Sequence, residues 1–337
     1  MEDTSINTPT IAPTVEKKNK SVSFSQYSIW LKCPQQWKLS YIDKLTKFDE
    51  TLNTAFGKAV HTSLQKFLEV LYGQGAIEAE ALDSVALFNT EYDKEIAIVR
   101  EKETKEKTSA REVANFEKVK YVETPTKFEP DGVEEFRIDG KNIMEYFVSH
   151  SIRTKHFPSK KFEVIGVELP LNIPIRNGLI TYKGFLDIVL REKGTGKIRI
   201  LDFKTSTFGW NKYQKADRTK IDQLLLYKRF YHQVYKTPMT DIDVEFVVLK
   251  RKLYEDVAFP QQRIQRIAPP DGKMSMKQVE TSFLEFINEC FDAYGEYNKD
   301  HTFMKNPGKA KKNCKYCAFA TMLTPDGKTK YCDGKEG

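Results

Sequence analysis

The chain has 337 residues, of which 40% are hydrophobic and 30% are charged, and its formal net charge is +7. This length and composition allow a full hydrophobic core, and no apolar run is long enough to span a membrane. The polar N-terminus lacks the apolar segment of a secretory signal, so we expect a cytoplasmic protein with no membrane partner. The modest positive charge permits nucleic acid as a partner without requiring it.

The first half of the chain is predicted to be helical. Residues 1–20 are predicted to form a disordered tail, and residues 21–75 a group of aromatic-rich N-terminal helices. Residues 52–73 carry an apolar stripe at helical spacing, and His61 lies at its edge. By itself, such a histidine is more often hydrogen-bonded in a core than a metal ligand. Residues 76–160 are predicted to be a charged, mainly helical insertion.

The pattern changes from helices to strands after residue 160, where β-branched residues alternate with polar ones between turn signals. The expected elements are strands 162–173, 179–190 and 198–204, a helix over 221–234 and a strand over 244–249. We assign residues 161–255 to this core, and residues 256–337, with a helix over 278–297, to a C-terminal helical and cysteine-rich segment. Residues 21–337 are expected to form one composite domain.

Two charged residues end the third predicted strand. Asp202 and Lys204 are two residues apart, so they share one face of it. Asp187 interrupts the apolar second strand, where an unpaired carboxylate would be costly to bury. Strands of a hairpin lie about 4.8 Å apart, so Asp187 and Asp202 can approach one ion. With His61 they form a hard ligand set that suits Mg²⁺ or Mn²⁺, and Lys204 can offset charge on a phosphate, as metal-assisted phosphodiester hydrolysis requires.

Four short motifs carry a family resemblance. They are Gly57-x-x-x-His61, Gly184-x-x-Asp187, Asp202-Phe203-Lys204-Thr205 and Gln223-x-x-x-Tyr227. In this order, on a helix, three strands, a helix and a strand, they make the chain resemble the PD-(D/E)xK nuclease superfamily in its RecB-like branch, which includes the Cas4-like proteins. The resemblance implies an α/β fold with a restriction-endonuclease-like core and extra N-terminal, inserted and C-terminal helices.

The resemblance also implies roles for the matching residues. The metal ligands would be His61, Asp187, Asp202 and the backbone carbonyl of Phe203. Lys204 would be the catalytic lysine, acting with Asp187 and Asp202. Gln223 and Tyr227 would flank the active site and help to place the DNA. Glu168 falls where relatives often carry an acidic residue on the first strand.

The five cysteines suggest a second metal centre. Their odd number, without an export signal, favours metal binding over disulfides for a Cys-x-x-Cys pair. Several relatives carry a 4Fe–4S cluster, and by resemblance its ligands here would be Cys33, Cys314, Cys317 and Cys332. Fourteen residues separate Cys317 from Cys332, and a turn at Pro325-Asp326-Gly327 can return the chain. Zinc also suits four thiolates, so zinc or no metal stays open. Cys290 is expected in the core.

These observations predict a metal-dependent deoxyribonuclease, an exonuclease of the RecB/Cas4 type in recombination, repair or replication. Its partner would be DNA, single-stranded or with a free end, and Trp210 and Tyr213 are candidates either for stacking on bases or for anchoring their loop to the protein surface. One alternative is a catalytically inactive DNA-binding or scaffold protein of the same fold. Another is the nuclease subunit of a helicase–nuclease complex. The chain has no GxxxxGK[ST] motif, so an ATP-driven helicase would be another protein.

Overall fold

A computed structural model describes residues 19–45, 50–116, 129–320, 322, 324 and 329–334. Apart from Asn19 and Lys20, the predicted tail lies outside these residues, as does the predicted turn at 325–327. Lys20 belongs to a short strand, so the tail prediction is wrong at that residue.

Six strands of the described residues form a mixed sheet. They are β1 (Lys20–Val22), β2 (Phe162–Ile175), β3 (Ile180–Glu192), β4 (Ile198–Ser206), β5 (Ile242–Lys250) and β6 (Ile264–Ile267). β2, β3 and β4 form an antiparallel meander, and β5 is parallel to β4. A parallel pair needs a crossover, which includes helix α9 (Arg218–Tyr235). β1 pairs with β3 and β6 with β5, and neither short strand is predicted from the sequence.

Helices cover both faces of the sheet. They are α1 (Phe24–Lys32), α2 (Pro34–Tyr41), α3 (Leu52–Gly73), α4 (Ala76–Ala81), α5 (Ser84–Phe116), α6 (Pro130–Val148), α7 (His150–His156), α8 (Lys212–Lys215), α9 and α10 (Lys273–Cys290). The predicted helix over 278–297 is wrong at both ends, because α10 starts at Lys273 and stops at Cys290, and Phe291 then bridges to Tyr297. None of the helices in the described part of the chain is long and apolar enough to cross a membrane.

Two hydrophobic clusters sandwich the sheet. One contains α3, α5 and α6, and there Phe56 packs edge-on against Phe88 and Phe136. The other contains α1, α9 and α10, with Cys290 fully buried in it. Helix, three strands, helix and strand therefore follow in the predicted order, and the α/β fold with a restriction-endonuclease-like core is confirmed. The division into domains stays a prediction.

The alternation of β4 decides which face carries the charged residues. Leu201 and Phe203 belong to the cluster of α3, whereas Ile200 belongs to the cluster of α9. Since alternate residues of a strand share a face, Asp202 and Lys204 continue the series of Ile200 toward α9. The acidic end of β4 therefore lies between two helices, with α3 on one side and α9 on the other.

Candidate active site

The candidate site lies where β3 and β4 separate. Their pairing ends at Ile188 and Leu201, so Asp187 and Asp202 would be the next pair. In place of a further ladder bond, the N–H of Phe203 donates to Asp187 Oδ2 at 2.7 Å. The carboxylate thus holds the open end of the hairpin, and its other oxygen stays available to an ion.

Helix α3 brings His61 to this opening. Its Nε2 donates to the carbonyl of Phe203 at 2.6 Å, and its Nδ1 lies 3.5 Å from Asp187 Oδ2. A carbonyl oxygen only accepts, so Nε2 carries the proton. Burial, and then the positive charge of Lys204, lowers the pKa of His61 to about 4. The imidazole is therefore neutral at pH 7, the form that binds metal ions.

Asp202 is a buried carboxylate with spare hydrogen-bonding capacity. The residue is 1% exposed, and among the described residues neither of its oxygens has a partner at hydrogen-bonding geometry. Lys204 Nζ lies 2.5 Å from Asp202 Oδ2, so the ammonium and the carboxylate form a close ion pair, and Oδ1 is left without a partner. Buried carboxylates are otherwise hydrogen-bonded or bound to metal, so Asp202 marks a place for a further cation.

The charges around Asp202 are not balanced. Burial, and then the negative charge of Asp202, raises the pKa of Asp187 well above its ordinary range. Burial lowers the pKa of Lys204, but the carboxylates of Asp202 and Asp187 outweigh it, and the net shift is upward. Two carboxylates therefore share one ammonium group, and a bound divalent cation would relieve their repulsion.

Helix α9 closes the other side of the site. Gln223 Nε2 donates to the hydroxyl of Tyr227 at 2.9 Å. Burial, and then the charge of Asp202, raises the pKa of Tyr227, so α9 and the acidic end of β4 belong to one site. A Cβ atom at Gly184 would lie 3.2 Å from the ring of Tyr227 and 3.1 Å from that of Tyr182. The absence of a side chain at Gly184 therefore lets both rings pack closely on the backbone of β3. Tyr182 is not part of the sequence motif, so the motif did not reveal its place at the site.

A third carboxylate belongs to the same edge of the sheet. Glu168 falls opposite Asp187 in the pairing of β2 and β3, because their neighbours pair on either side. Gln65, one helical turn after His61, donates to Glu168 Oε1 at 2.5 Å. Sequence reasoning missed Gln65, although its spacing from His61 was a signal. Glu168 is exposed and has a φ of 49°, a left-handed conformation that residues other than glycine rarely adopt.

We expect Glu168→Gly to be more stable than Glu168→Ala by about 1 kcal/mol. Both variants lose the carboxylate and the bond to Gln65, but only glycine tolerates the positive φ without strain. Thermal unfolding measures this, since about 2–4 °C in Tm corresponds to each kcal/mol in a domain of 150–250 residues. Equal Tm values would contradict backbone strain at this position. Because both variants lack the carboxylate, any effect on DNA cleavage should be equal in Glu168→Gly and Glu168→Ala.

The second cluster of predicted ligands lies near the two ends of the chain. One small cavity is lined by Cys33, Cys314, Cys317 and Cys332. Burial, and then the charges of the other three sulfur atoms, raises the pKa of Cys314. The N–H of Tyr331 donates to Met322 at 3.1 Å and that of Cys332 to Phe319 at 3.2 Å. These bonds return the chain after the long spacer and place Cys332 at the cavity.

The donor types at the two clusters suit metal ions, but neither cluster is a preformed metal site. Within the described ranges, no three His, Cys, Asp or Glu side chains lie close enough together to hold an ion. At the acidic cluster, the fourth proposed donor is a backbone carbonyl, which already contacts His61. At the cysteine cavity all four donors are thiols. Binding at either place would require the side chains to move together around the ion.

Comparison with known proteins adds one finding. A family model described as the PD-(D/E)XK nuclease superfamily matches residues 21–322. This range contains β2 to β6 and both helices that flank the acidic end of β4. No curated protein matches the chain.

Proposed function

The chain belongs to the PD-(D/E)XK nuclease superfamily, and from this premise we propose that it is a metal-dependent exonuclease of the RecB-like, Cas4-like type. Membership indicates a nuclease that acts on DNA, and nucleases of this superfamily usually use Mg²⁺ or Mn²⁺. The observation that carries the proposal is the buried Asp202, whose Oδ1 has no partner among the described residues and whose Oδ2 has only the ammonium of Lys204 beside it. A solely structural role leaves that arrangement unexplained.

Four donors would hold the proposed cation after the side chains move together. They are His61, Asp187, Asp202 and the carbonyl oxygen of Phe203. When bound, Mg²⁺ or Mn²⁺ polarises a phosphate oxygen and lowers the pKa of a water molecule. Asp187 has a second task, since its Oδ2 fixes the N–H of Phe203 and thereby the carbonyl on the same residue. His61 would bind the ion through the unprotonated nitrogen of its neutral ring.

Lys204 and the residues of α9 would act on the DNA itself. The side chain of Lys204 is 33% exposed, so its ammonium can reach an incoming phosphate while it stays beside Asp202. There it would stabilise the negative charge that develops on the phosphate in the transition state. The amide of Gln223 is held by Tyr227 on the opposite wall and would orient the DNA backbone. The strand to be cut would then pass between α3 and α9.

The exonuclease proposal predicts a requirement for a DNA end. With Mg²⁺ or Mn²⁺, we expect digestion of linear end-labelled DNA, no digestion of the same sequence as a closed circle, and no activity in EDTA. Single- and double-stranded forms are compared in parallel, with labels at the 5′ and 3′ ends to give the polarity. Cleavage of closed circular DNA would contradict the exonuclease proposal and show that the protein is an endonuclease. Failure on every DNA would favour an inactive binding protein or a requirement for a partner helicase.

We also propose that the four cysteines bind a 4Fe–4S cluster. They come from both ends of the chain and share one cavity, and Cys33 Sγ accepts a hydrogen bond from the N–H of Asn306 at 3.4 Å. Such bonds to sulfur are common around iron–sulfur clusters. A zinc ion is the alternative occupant for the same donors. Either metal would fasten the junction of α1 and α2 to the C-terminal segment.

A further inference from the structure

Two aromatic side chains lie stacked and exposed beyond the end of β4. Phe208 is 44% exposed and Tyr254 is 58% exposed, yet their ring centroids are 4.9 Å apart and the ring planes differ by only 13°. Among the aromatic pairs of the described residues, this is the one in which both rings are exposed. Exposed aromatic rings next to a candidate nucleic-acid site are a candidate stacking surface for bases.

The backbone holds this pair firmly. The N–H of Lys252 donates to the carbonyl of Thr207 at 2.8 Å, which extends the pairing of β4 and β5 beyond the strands. The side chain of Gln261 bonds both backbone groups of Tyr254, at 2.9 and 2.6 Å. Gly209 has a φ of 92°, so the turn after Phe208 needs glycine. The two rings are therefore presented in a preorganised way, with little entropy to lose on binding.

The pair lies close to the candidate active site. Phe208 follows Lys204 by four residues, so their Cα atoms are at most about 14 Å apart.

The two aromatic residues that the sequence offers for stacking on bases, Trp210 and Tyr213, do not form a stacked pair of this kind. Trp210 is 7% exposed and packs against Phe246, so it anchors its loop and has no free face for a base. Tyr213 is 71% exposed but stacks on no other ring among the described residues.

The charges around the pair favour an anionic partner on one side. Residues 207–216 contain no acidic side chain, and Lys212 and Lys215 are exposed there. On the other side, Arg251 and Lys252 are paired with carboxylates of α6, at 3.0 Å in each case. Acidic residues also follow Tyr254 in its loop. The positive potential therefore lies on the side of β4 and α8, which leads back to Lys204.

We propose that Phe208 and Tyr254 form a platform on which a base of single-stranded DNA stacks while its backbone passes the lysines of α8 toward Lys204. This inference rests on the proposed nuclease and adds the form of DNA that it takes. Bases in a duplex already stack on each other, so a single strand offers the free faces that aromatic rings bind. A protein partner is the rival occupant, but the flanking lysines and the neighbouring active site favour nucleic acid.

Binding of labelled oligothymidylate in EDTA tests the platform without cleavage. Phe208→Ala and Tyr254→Ala are each expected to weaken binding about 5- to 150-fold, the range for loss of one base stack. Fluorescence anisotropy measures the Kd. Tyr254→Phe keeps the ring and should bind as the wild type does. Tyr294→Ala removes another highly exposed tyrosine, on the loop after α10, and should leave the Kd unchanged.

An abasic oligonucleotide of the same length separates stacking from phosphate contacts. The wild type and Phe208→Ala should bind it equally, because it has phosphates but no bases. Unchanged binding of oligothymidylate by both alanine variants would overturn the platform, and so would equal losses on the normal and abasic strands. A protein that cuts DNA but shows either result refutes the platform alone. A protein that cuts nothing but shows the base-dependent loss refutes the nuclease alone.

Discussion

Asp202→Asn is expected to lower kcat/KM for DNA cleavage by at least about 10²- to 10³-fold, the size of effect seen when one preorganised group at a transition state is removed. Asparagine has the shape of aspartate, so it keeps the packing but lacks the charge for a divalent cation. The substitution also avoids the cavity that Asp202→Ala would leave beside Lys204. Initial rates on end-labelled DNA across a Mn²⁺ titration measure the effect.

Metal binding gives this prediction a second readout. At Mn²⁺ concentrations 100 times the Kd, a bound ion stabilises the wild type by about 2.7 kcal/mol. Thermal unfolding with Mn²⁺ and with EDTA should show this gain for the wild type and not for Asp202→Asn. Asp243→Asn is the matched control, because Asp243 is an exposed carboxylate on the neighbouring β5. Cleavage by Asp202→Asn at the wild-type rate would refute the proposed metal site.

Cys314→Ser is expected to remove the metal from the cysteine cavity and to lower Tm by several degrees. Cys314 shares its cavity with three other thiols, so one lost ligand disrupts the whole site. Without metal, hydrogen bonds such as those from the side chains of Asn306 and Asn313 to the carbonyl of Lys32 hold the C-terminal segment near α1. Iron, sulfide and zinc analysis of anaerobically purified protein, with thermal unfolding, measures both effects.

Cys290→Ala is the control for the cysteine cavity. Cys290 is fully buried in the cluster of α1, α9 and α10 and does not line the cysteine cavity, so its variant should keep the full metal content. About four iron and four sulfide per chain would support the iron–sulfur cluster. A colourless protein with one zinc ion per chain would instead support a zinc site. Wild-type protein without either metal, and with the Tm of Cys314→Ser, would contradict both proposals.

Local patterns in the sequence predict much of the framework. The helix over 52–73 has the bounds of α3, because a long apolar stripe at helical spacing needs no distant partner to be recognised. The three predicted strands of the meander are also present, and the turn between the first two has positive φ at Asn177 and Gly178. By contrast, β1 and β6 have three and four residues, too few for a periodic pattern, and they form only because β3 and β5 offer free edges.

The sequence could not predict which aromatic side chains are buried, because neither the residue type nor its place in a loop decides this. Trp210 and Phe208 are both aromatic and lie in one loop, yet the first packs on Phe246 and the second is exposed. Gln265 decides between them, because its side chain bonds the backbone N–H and carbonyl of Trp210. Gln265 lies 55 residues further along the chain. Such contacts depend on the folded arrangement and leave no local trace.

The sequence by itself determined the chemical types at the candidate site and their order along the chain. Asp187, Asp202 and Lys204 stand at strand positions whose apolar surroundings make a charge costly, and this cost is visible in the residues alone. Only the tertiary structure decided how they meet. The separation of β3 and β4 at Asp187, and the contact of His61 with Phe203 across 142 residues, follow from the packing of α3 on the sheet. Local periodicity describes elements, whereas a site is made of distances between them.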